Sequence, residues 1–215
     1  AGFGGPISDR VRYRLSGKTE HGDGWFRNLN PAGKDTFEKK FFGIRGQIEA
    51  DLSDALTARL SVSYDKSPRH LEGLYKPINF YVDPATGDPT PLPATLDFYG
   101  TGPGNDFAGY RDTNPDAQTG NFNNVGFLSN ERFSPTLNVQ WDAGSATVTS
   151  ITNYTKFKYA YNEDCDGGPV DFCNFPLGQD LDQWTQELRV NGNAGALTYT
   201  AGLYYLNIKQ VALKM

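Results

Sequence analysis

Between Ile44 and Tyr64 the chain alternates apolar and polar residues twice, with one short turn between the two runs. In the first run Ile44, Gly46, Ile48, Ala50 and Leu52 share one phase, and Arg45, Gln47, Glu49 and Asp51 the other. In the second, Leu56, Ala58, Leu60, Val62 and Tyr64 oppose Thr57, Arg59, Ser61, Ser63 and Asp65. Successive side chains of a strand point to opposite faces, so the pattern predicts a hairpin with one oily face and one wet, charged face.

The same two-faced pattern recurs on both sides of this hairpin. Val11, Tyr13 and Leu15 oppose Arg10, Arg12, Arg14 and Ser16; Phe133, Leu137, Val139 and Trp141 oppose Arg132, Ser134, Thr136, Asn138 and Gln140. Trp184, Leu188 and Val190 then oppose Gln183, Thr185, Glu187 and Arg189, and Leu197, Tyr199, Ala201, Leu203 and Tyr205 oppose Thr198, Thr200 and Gly202. Around Ala146 to Tyr159 the phases mix, Val148 and Tyr154 against Ile151 and Phe157, which predicts a bulge or a partly buried strand. The total is about seven strands.

Connections alternate in kind. Asp51 to Asp54, Asp142 to Ser145 and Asn191 to Gly195 read as tight turns, whereas about 19–34, 66–131 and 160–181 read as long loops. Short turns at one end and long loops at the other predict an all-β, antiparallel transmembrane barrel segment, its turns periplasmic and its loops extracellular.

Composition agrees. Only 38% of the 215 residues are hydrophobic, low for a soluble core, and a barrel needs an apolar residue only at alternate positions. No apolar run is long enough for a membrane helix. Residues 1–5 lack the basic and apolar regions of a signal peptide, which suggests a mature chain or a piece of a longer one. A net charge of −5 without a Lys/Arg cluster argues against a nucleic-acid partner. Tyr13, Tyr64, Trp141, Tyr154, Tyr159, Trp184 and Tyr205, near strand ends, fit interfacial girdles or, equally for any single residue, the core of a sandwich.

Several segments also resemble the TonB-dependent receptors of the Gram-negative outer membrane. They are Gly5-Pro6-Ile7-Ser8-Asp9 with Arg14-Leu15-Ser16-Gly17, Gly22 to Asn28, Arg45 to Ile48, Ser150 to Tyr154, Gln186 to Val190 and Ala201 to Tyr205, in the order of that family's successive strands. The resemblance implies a barrel of about 22 strands with a plugged lumen, of which this chain supplies part. It implies that the plug, the segment engaging the TonB complex and the remaining strands lie elsewhere. Outer-membrane lipid, TonB and a small or oligomeric ligand are the implied partners.

In such a barrel Arg10, Arg12, Arg14, Arg45, Arg59, Arg132 and Arg189 would line the lumen, contacting an anionic ligand or the plug, or pairing with Glu49, Asp51, Asp65 and Glu187 across strands. Cys165 and Cys173, the two cysteines of an exported chain, are expected to form a loop disulfide. Asp164, Asp166 and Asp171 beside them are weak Ca²⁺ candidates whose spacing matches no full calcium loop. Tyr75, Phe80, Tyr81, Phe98, Tyr99, Phe107 and Tyr110 in the long loop either stack on a flat ligand or pack the loop on itself. Asn153-Tyr154-Thr155 matches a glycosylation acceptor, but within a strand. His21 and His70 have no nucleophile and acid nearby in sequence, so neither an enzyme nor a cofactor is expected.

The leading expectation is part of an active transporter for a scarce, large ligand: a siderophore-iron complex, a cobalamin-like molecule or an oligosaccharide. A passive porin and a secreted glycan-binding β-sandwich remain the alternatives.

Overall fold

The computed structural model describes residues 1–31, 33–72, 80–82, 84–87, 89–91, 114, 116–165, 167–171 and 173–213. Its strands are β1 (Gly2–Ser8), β2 (Val11–Gly22), β3 (Arg27–Asn28), β4 (Lys39–Ser53), β5 (Leu56–Leu71), β6 (Phe80–Val82), β7 (Pro89–Pro91), β8 (Thr119–Gly120), β9 (Phe127–Asp142), β10 (Ala146–Asp164), β11 (Asn174–Ala194) and β12 (Leu197–Leu213). Eight of them form one antiparallel sheet in the order β1-β2-β4-β5-β9-β10-β11-β12, and this sheet is not closed. Two small pairs, β3 with β8 and β6 with β7, lie in the long connections.

The sheet has eight strands where the alternation predicts seven. The additional one, β1, is Gly-Phe-Gly-Gly-Pro-Ile-Ser, which carries no two-phase signal. It pairs with β2 because Gly4 leaves room against the Tyr13 carbonyl, where a Cβ would come within 2.4 Å, and because Pro6 sits at the register shift Pro6/Ser8, where a strand tolerates proline.

The connection expected at about 19–34 shifts to 23–38, since β2 runs on to Gly22 and β4 starts at Lys39, whereas the strands around the other two long connections run further than expected. The loops placed at about 66–131 and 160–181 contract to 72–126 and 165–173, because the ladders continue through Leu71, Phe127, Asp164 and Asn174. Backbone pairing needs no apolar side chain, so the ladder outlasts the alternation that announces it. At 15 to 21 residues, β4, β5 and β9 to β12 exceed the 9–11 or so that a tilted strand needs to cross a bilayer.

Of the two alternatives for the Ala146–Tyr159 region, the bulge is absent and the partly buried strand is found: β10 pairs with β11 in unbroken register from Ala146↔Gly192 to Asp164↔Asn174, and most of its residues are of intermediate burial. Register shifts fall instead at Pro6/Ser8, Asp51/Ser53 and Ser67/His70. The mixed phase has another cause. Ile151 and Phe157 sit opposite Asn138 and Arg132, so they are apolar residues on the charged face.

At the tight-turn end, Gly144 (φ 83°) and Gly195 (φ 62°) occupy the left-handed region that a side chain disfavours. The Gly144 amide is held by Asp142 Oδ1 at 2.9 Å.

Candidate functional site: a two-faced wall and its loop cap

The register sorts the side chains of the large sheet onto two faces. One transverse row reads Tyr13, Ile48, Leu60, Leu137, Thr152, Gln186, Tyr205; a parallel one reads Val11, Ala50, Ala58, Val139, Ser150, Leu188, Leu203. Nothing among the described residues packs on this apolar face, and Leu137, Leu188 and Leu203 are 41%, 42% and 75% exposed. In these two rows Thr152, Gln186 and Ser150 satisfy one another: Thr152 Oγ1 donates to Gln186 Oε1 at 2.5 Å, and Gln186 Nε2 donates to Ser150 Oγ and to the Glu187 carbonyl, both at 3.0 Å.

Phe42, Tyr64, Phe133, Tyr154, Trp184 and Tyr205 lie on this face, one on each large-sheet strand from β4 to β12, and β9 carries Phe127 as a further aromatic residue toward the long connections. The six do not follow a hydrogen-bonded row. The row of Phe42 passes through Lys66, Glu131, Lys158 and Asp180 to Val211, six residues beyond Tyr205. Six residues of strand rise about 20 Å, and the five inter-strand steps span about 24 Å, so the aromatic line crosses the rows at about 40°. On β9, Phe133 and Trp141 bracket Pro135, Leu137 and Val139, a height of about 20 Å after that tilt.

The opposite face carries the charges. Glu49 accepts from Arg12 Nε at 2.8 Å and Arg59 Nε at 2.5 Å, and Arg12 Nη2 also reaches Asp51 at 2.6 Å. Arg132 holds Asp65, with its Nη2 at 2.5 Å and Nε at 3.1 Å. Arg10 pairs with Asp54 in the adjacent turn at 2.8 Å, and Arg189 with Glu187 at 3.5 Å. Arg45 donates to Ser61 Oγ at 3.3 Å, and Arg14 has no side-chain partner among the described residues. Each of these Arg–carboxylate pairs is half-exposed on the Arg side, a setting in which solvent screening leaves an ion pair little net stabilisation.

This face changes character along the sheet. Beyond β9 it carries the stacked ladder Phe157, Tyr159 and Tyr161, with successive ring centroids 6.2 Å apart, and exposed Leu177, Leu206 and Ile208. The mixed phase at Ile151 and Phe157 is the trace that this division leaves in the alternation.

Near the Phe157 ladder, Asn153 lies inside β10. Its Nδ2 contacts the Pro135 carbonyl (3.0 Å), Thr136 Oγ1 (2.8 Å) and Ser134 Oγ (3.0 Å), beside the stretch of the β9–β10 ladder that Pro135 interrupts. That amide is occupied by strand contacts.

At the long-connection end a cap gathers three segments distant in sequence. Phe26 (0% exposed) and Phe122 (1%) stack with centroids 5.8 Å apart, and Phe26 bridges to the buried Thr36. Gly120 is required beneath them, because a Cβ there would come within 2.4 Å of the Phe122 ring. Asn28 fastens the two loops, its Nδ2 donating to the Phe122 carbonyl and its Oδ1 accepting the Phe122 N–H. Phe37 has φ 62°, a conformation that costs a bulky residue about 1–3 kcal/mol. It stacks at 5.0 Å on half-exposed Trp25 and meets Phe26 edge-on.

Cys165 and Cys173 are disulfide-bonded, with Cα atoms 5.2 Å apart, and their loop joins the cap where Asn123 N–H donates to the Gly168 carbonyl at 3.1 Å. Asp164 is buried and accepts the Gly167 N–H; Asp171 accepts from Asn174; Asp166 lies outside the described residues. Glu38 accepts the Leu71 N–H at 2.9 Å while its own N–H reaches the Leu71 carbonyl, and Lys40 stands at 2.9 Å from the same carboxylate. The Lys40 hydrogen bond, then that of Leu71, hold the Glu38 carboxyl below the usual carboxylate range despite its partial burial.

Of the aromatic residues that the sequence nominates for ligand contact, Tyr75, Phe98, Tyr99, Phe107 and Tyr110 lie outside the described residues. Phe80 and Tyr81 belong to β6, whose backbone pairs Phe80↔Pro91 and Tyr81↔Thr90. The cap aromatics Trp25, Phe26, Phe37 and Phe122 escaped that nomination because their relation is one of distant contact.

No protein-family model and no curated protein matches the chain. Among solved structures, the fold is similar to that of the ferric yersiniabactin uptake receptor FyuA from Yersinia pestis, with a TM-score of 0.63 and 16% sequence identity. The alignment covers 97% of this chain and 28% of that receptor's, so the eight-stranded sheet has the fold of one part of a barrel-type receptor.

Proposed function

We propose that the chain is a section of the wall of an outer-membrane, TonB-dependent active transporter, with its apolar face toward lipid, its charged face toward the lumen and its cap outside the cell. The observation carrying this reading is the aromatic line at about 40° to the hydrogen-bonded rows, since barrel strands tilt by about 35–45° and an aromatic girdle level with the membrane must cross them at that angle. An exposed apolar face whose central Thr152, Gln186 and Ser150 are paired with one another fits lipid as its solvent. A sandwich would require a second sheet over that face.

In this mechanism the chain performs no chemistry. Outer loops capture a scarce ligand, a siderophore-iron complex, a cobalamin-like molecule or an oligosaccharide, and energy from the TonB complex opens a path past the lumen's contents. The half-exposed Trp25 on Phe37 offers a flat apolar surface at the mouth. The likeness to a ferric siderophore uptake receptor favours the first ligand class.

The test is to fractionate cells producing the full-length protein and then measure ligand accumulation with and without a working TonB complex. Extraction only by detergent and TonB-dependent accumulation support the reading. A protein that stays in the aqueous fraction overturns it, and accumulation indifferent to TonB replaces it with a passive porin.

A further inference from the structure

The cations of the apolar face are distributed unevenly. Among the described residues of the large sheet, every Lys or Arg in that phase, namely Lys40, Lys66, Arg69, Lys156, Lys158 and Lys209, lies on the long-connection side of the aromatic line. The tight-turn side of the same face has Val11, Ala50, Leu56, Trp141, Ala146 and Tyr199 and no cation. A generic snorkelling role would place cations at both rims.

Three of these cations, Lys66, Arg69 and Lys158, line one hollow. Lys66, Glu131, Lys158 and Asp180 form a single transverse row just above Tyr64 and Phe133, and with Pro68, Arg69, Ser129 and Ala160 they line a depression of about 470 Å³. The register shift at Ser67/His70 sets two residues, Pro68 and Arg69, against Ser129, which opens the wall there. Arg69 lies over the Phe127 ring at 3.8 Å, and neither Arg69 nor Lys158 forms an ion pair among the described residues. Lys66 is 3.1 Å from Glu131, which leaves that carboxylate compensated.

We propose that this hollow binds the head of a phosphorylated glycolipid of the outward leaflet, with its phosphate on Arg69 and Lys158 and its acyl chains along Val62, Tyr64, Phe133 and Leu137. Unpaired cations suit the phosphate, and the adjoining acceptors Asp180, Glu131 and Ser129 suit sugar hydroxyls, which a simple phosphodiester head would leave unmet. The proposal rests on the reading of this face as lipid-facing.

The experiment uses the full-length protein purified in detergent, with native mass spectrometry to score four probes: a bisphosphorylated acylated disaccharide, its dephosphorylated form, phosphatidylglycerol and inorganic phosphate. The expected result is retention of the first alone, weakened about fivefold by Lys158→Gln and about 25-fold by Lys158→Gln with Arg69→Gln, at about fivefold per cation. Lys18→Gln on the opposite face should change nothing. Equal binding of the phosphorylated and dephosphorylated probes, equal retention of phosphatidylglycerol, binding of inorganic phosphate alone, or indifference to both variants overturns the proposal while leaving a membrane barrel intact. Should the double variant fail to fold, the single variant and the probe comparison still decide. A protein that needs no detergent refutes instead the reading beneath it.

Discussion

Asn28 and Phe122 are 94 positions apart, yet the Asn28 side chain makes both hydrogen bonds that a neighbouring strand would make to the Phe122 backbone, donating to its carbonyl at 3.1 Å and accepting its N–H at 3.0 Å. A third bond, from the Asn30 N–H to Asn28 Oδ1 at 3.1 Å, fixes the amide's orientation. One side chain thereby replaces a ladder rung in a cap whose β3–β8 ladder is two residues long.

Removing that rung should open the cap without unfolding the wall. Asn28→Ala leaves the Phe122 N–H and carbonyl unpaired in a partly buried setting, a loss of about 1–3 kcal/mol. Hydrogen exchange should show the Phe122 amide exchanging about 5- to 150-fold faster while amides of β9 and β10 keep their protection. Asn28→Asp, which keeps the acceptor and loses the donor, should fall between.

Adjacent residues of β9 should respond oppositely to the same charge. Leu137 lies midway between Phe133 and Trp141 on the apolar face, and Asn138 points to the charged face opposite Arg59. In the full-length barrel, Leu137→Arg should cost about 2–4 kcal/mol and Asn138→Arg no more than about 1 kcal/mol, the repulsion of Arg59 opposite it. Unfolding midpoints in detergent or bilayer measure both, and equal costs would contradict the assignment of faces.

Reducing the Cys165–Cys173 bond releases a closed loop with a separation of 8, a local effect of about 2–3 kcal/mol by chain entropy. Because the Gly168 carbonyl accepts the Asn123 N–H, the effect should travel to the Phe122 segment. Limited proteolysis of the paired Cys165→Ser, Cys173→Ser variant should therefore cut near residues 121–126 as well as within 165–173. Cleavage confined to 165–173 would show the two segments to be uncoupled.

Acid should loosen the junction of Glu38 with Leu71. The folded-state pKa of Glu38 is depressed, so its contribution is fully present above the ordinary carboxylate pKa of about 4.3 and is lost as pH falls through the lower folded value. Protonation also weakens the carboxylate's hold on the Leu71 N–H. Corrected for intrinsic rates, exchange of the Leu71 amide should be flat above pH ~5 and rise below pH ~4, and Glu38→Gln should remove that dependence.

The alternation from Ile44 to Tyr64 was enough to assign faces, since a residue's phase along a strand depends on nothing outside its own backbone. It also marked the tight turns to within a few residues: Gly144 stands inside its turn, whereas β4 runs through Ser53 and β11 through Ala194, so the other two reversals fall at Asp54–Ala55 and Gly195–Ala196 rather than from Asp51 and Asn191. Three things escaped it. Strand β1 has no pattern of its own and exists only through its pairing with β2. Cap residues Phe26, Asn28 and Phe122 are ordinary loop residues until the sheet brings their segments together. Tilt is invisible in any one strand: Phe42, Tyr64, Phe133, Tyr154, Trp184 and Tyr205 become a line only once five inter-strand registers are set. The sequence by itself therefore determined which solvent each residue of a strand prefers, a property of single residues and their neighbours in the chain. Tertiary structure alone decided how the strands are staggered and which loops meet, because stagger and loop contact are relations between residues that the chain does not join.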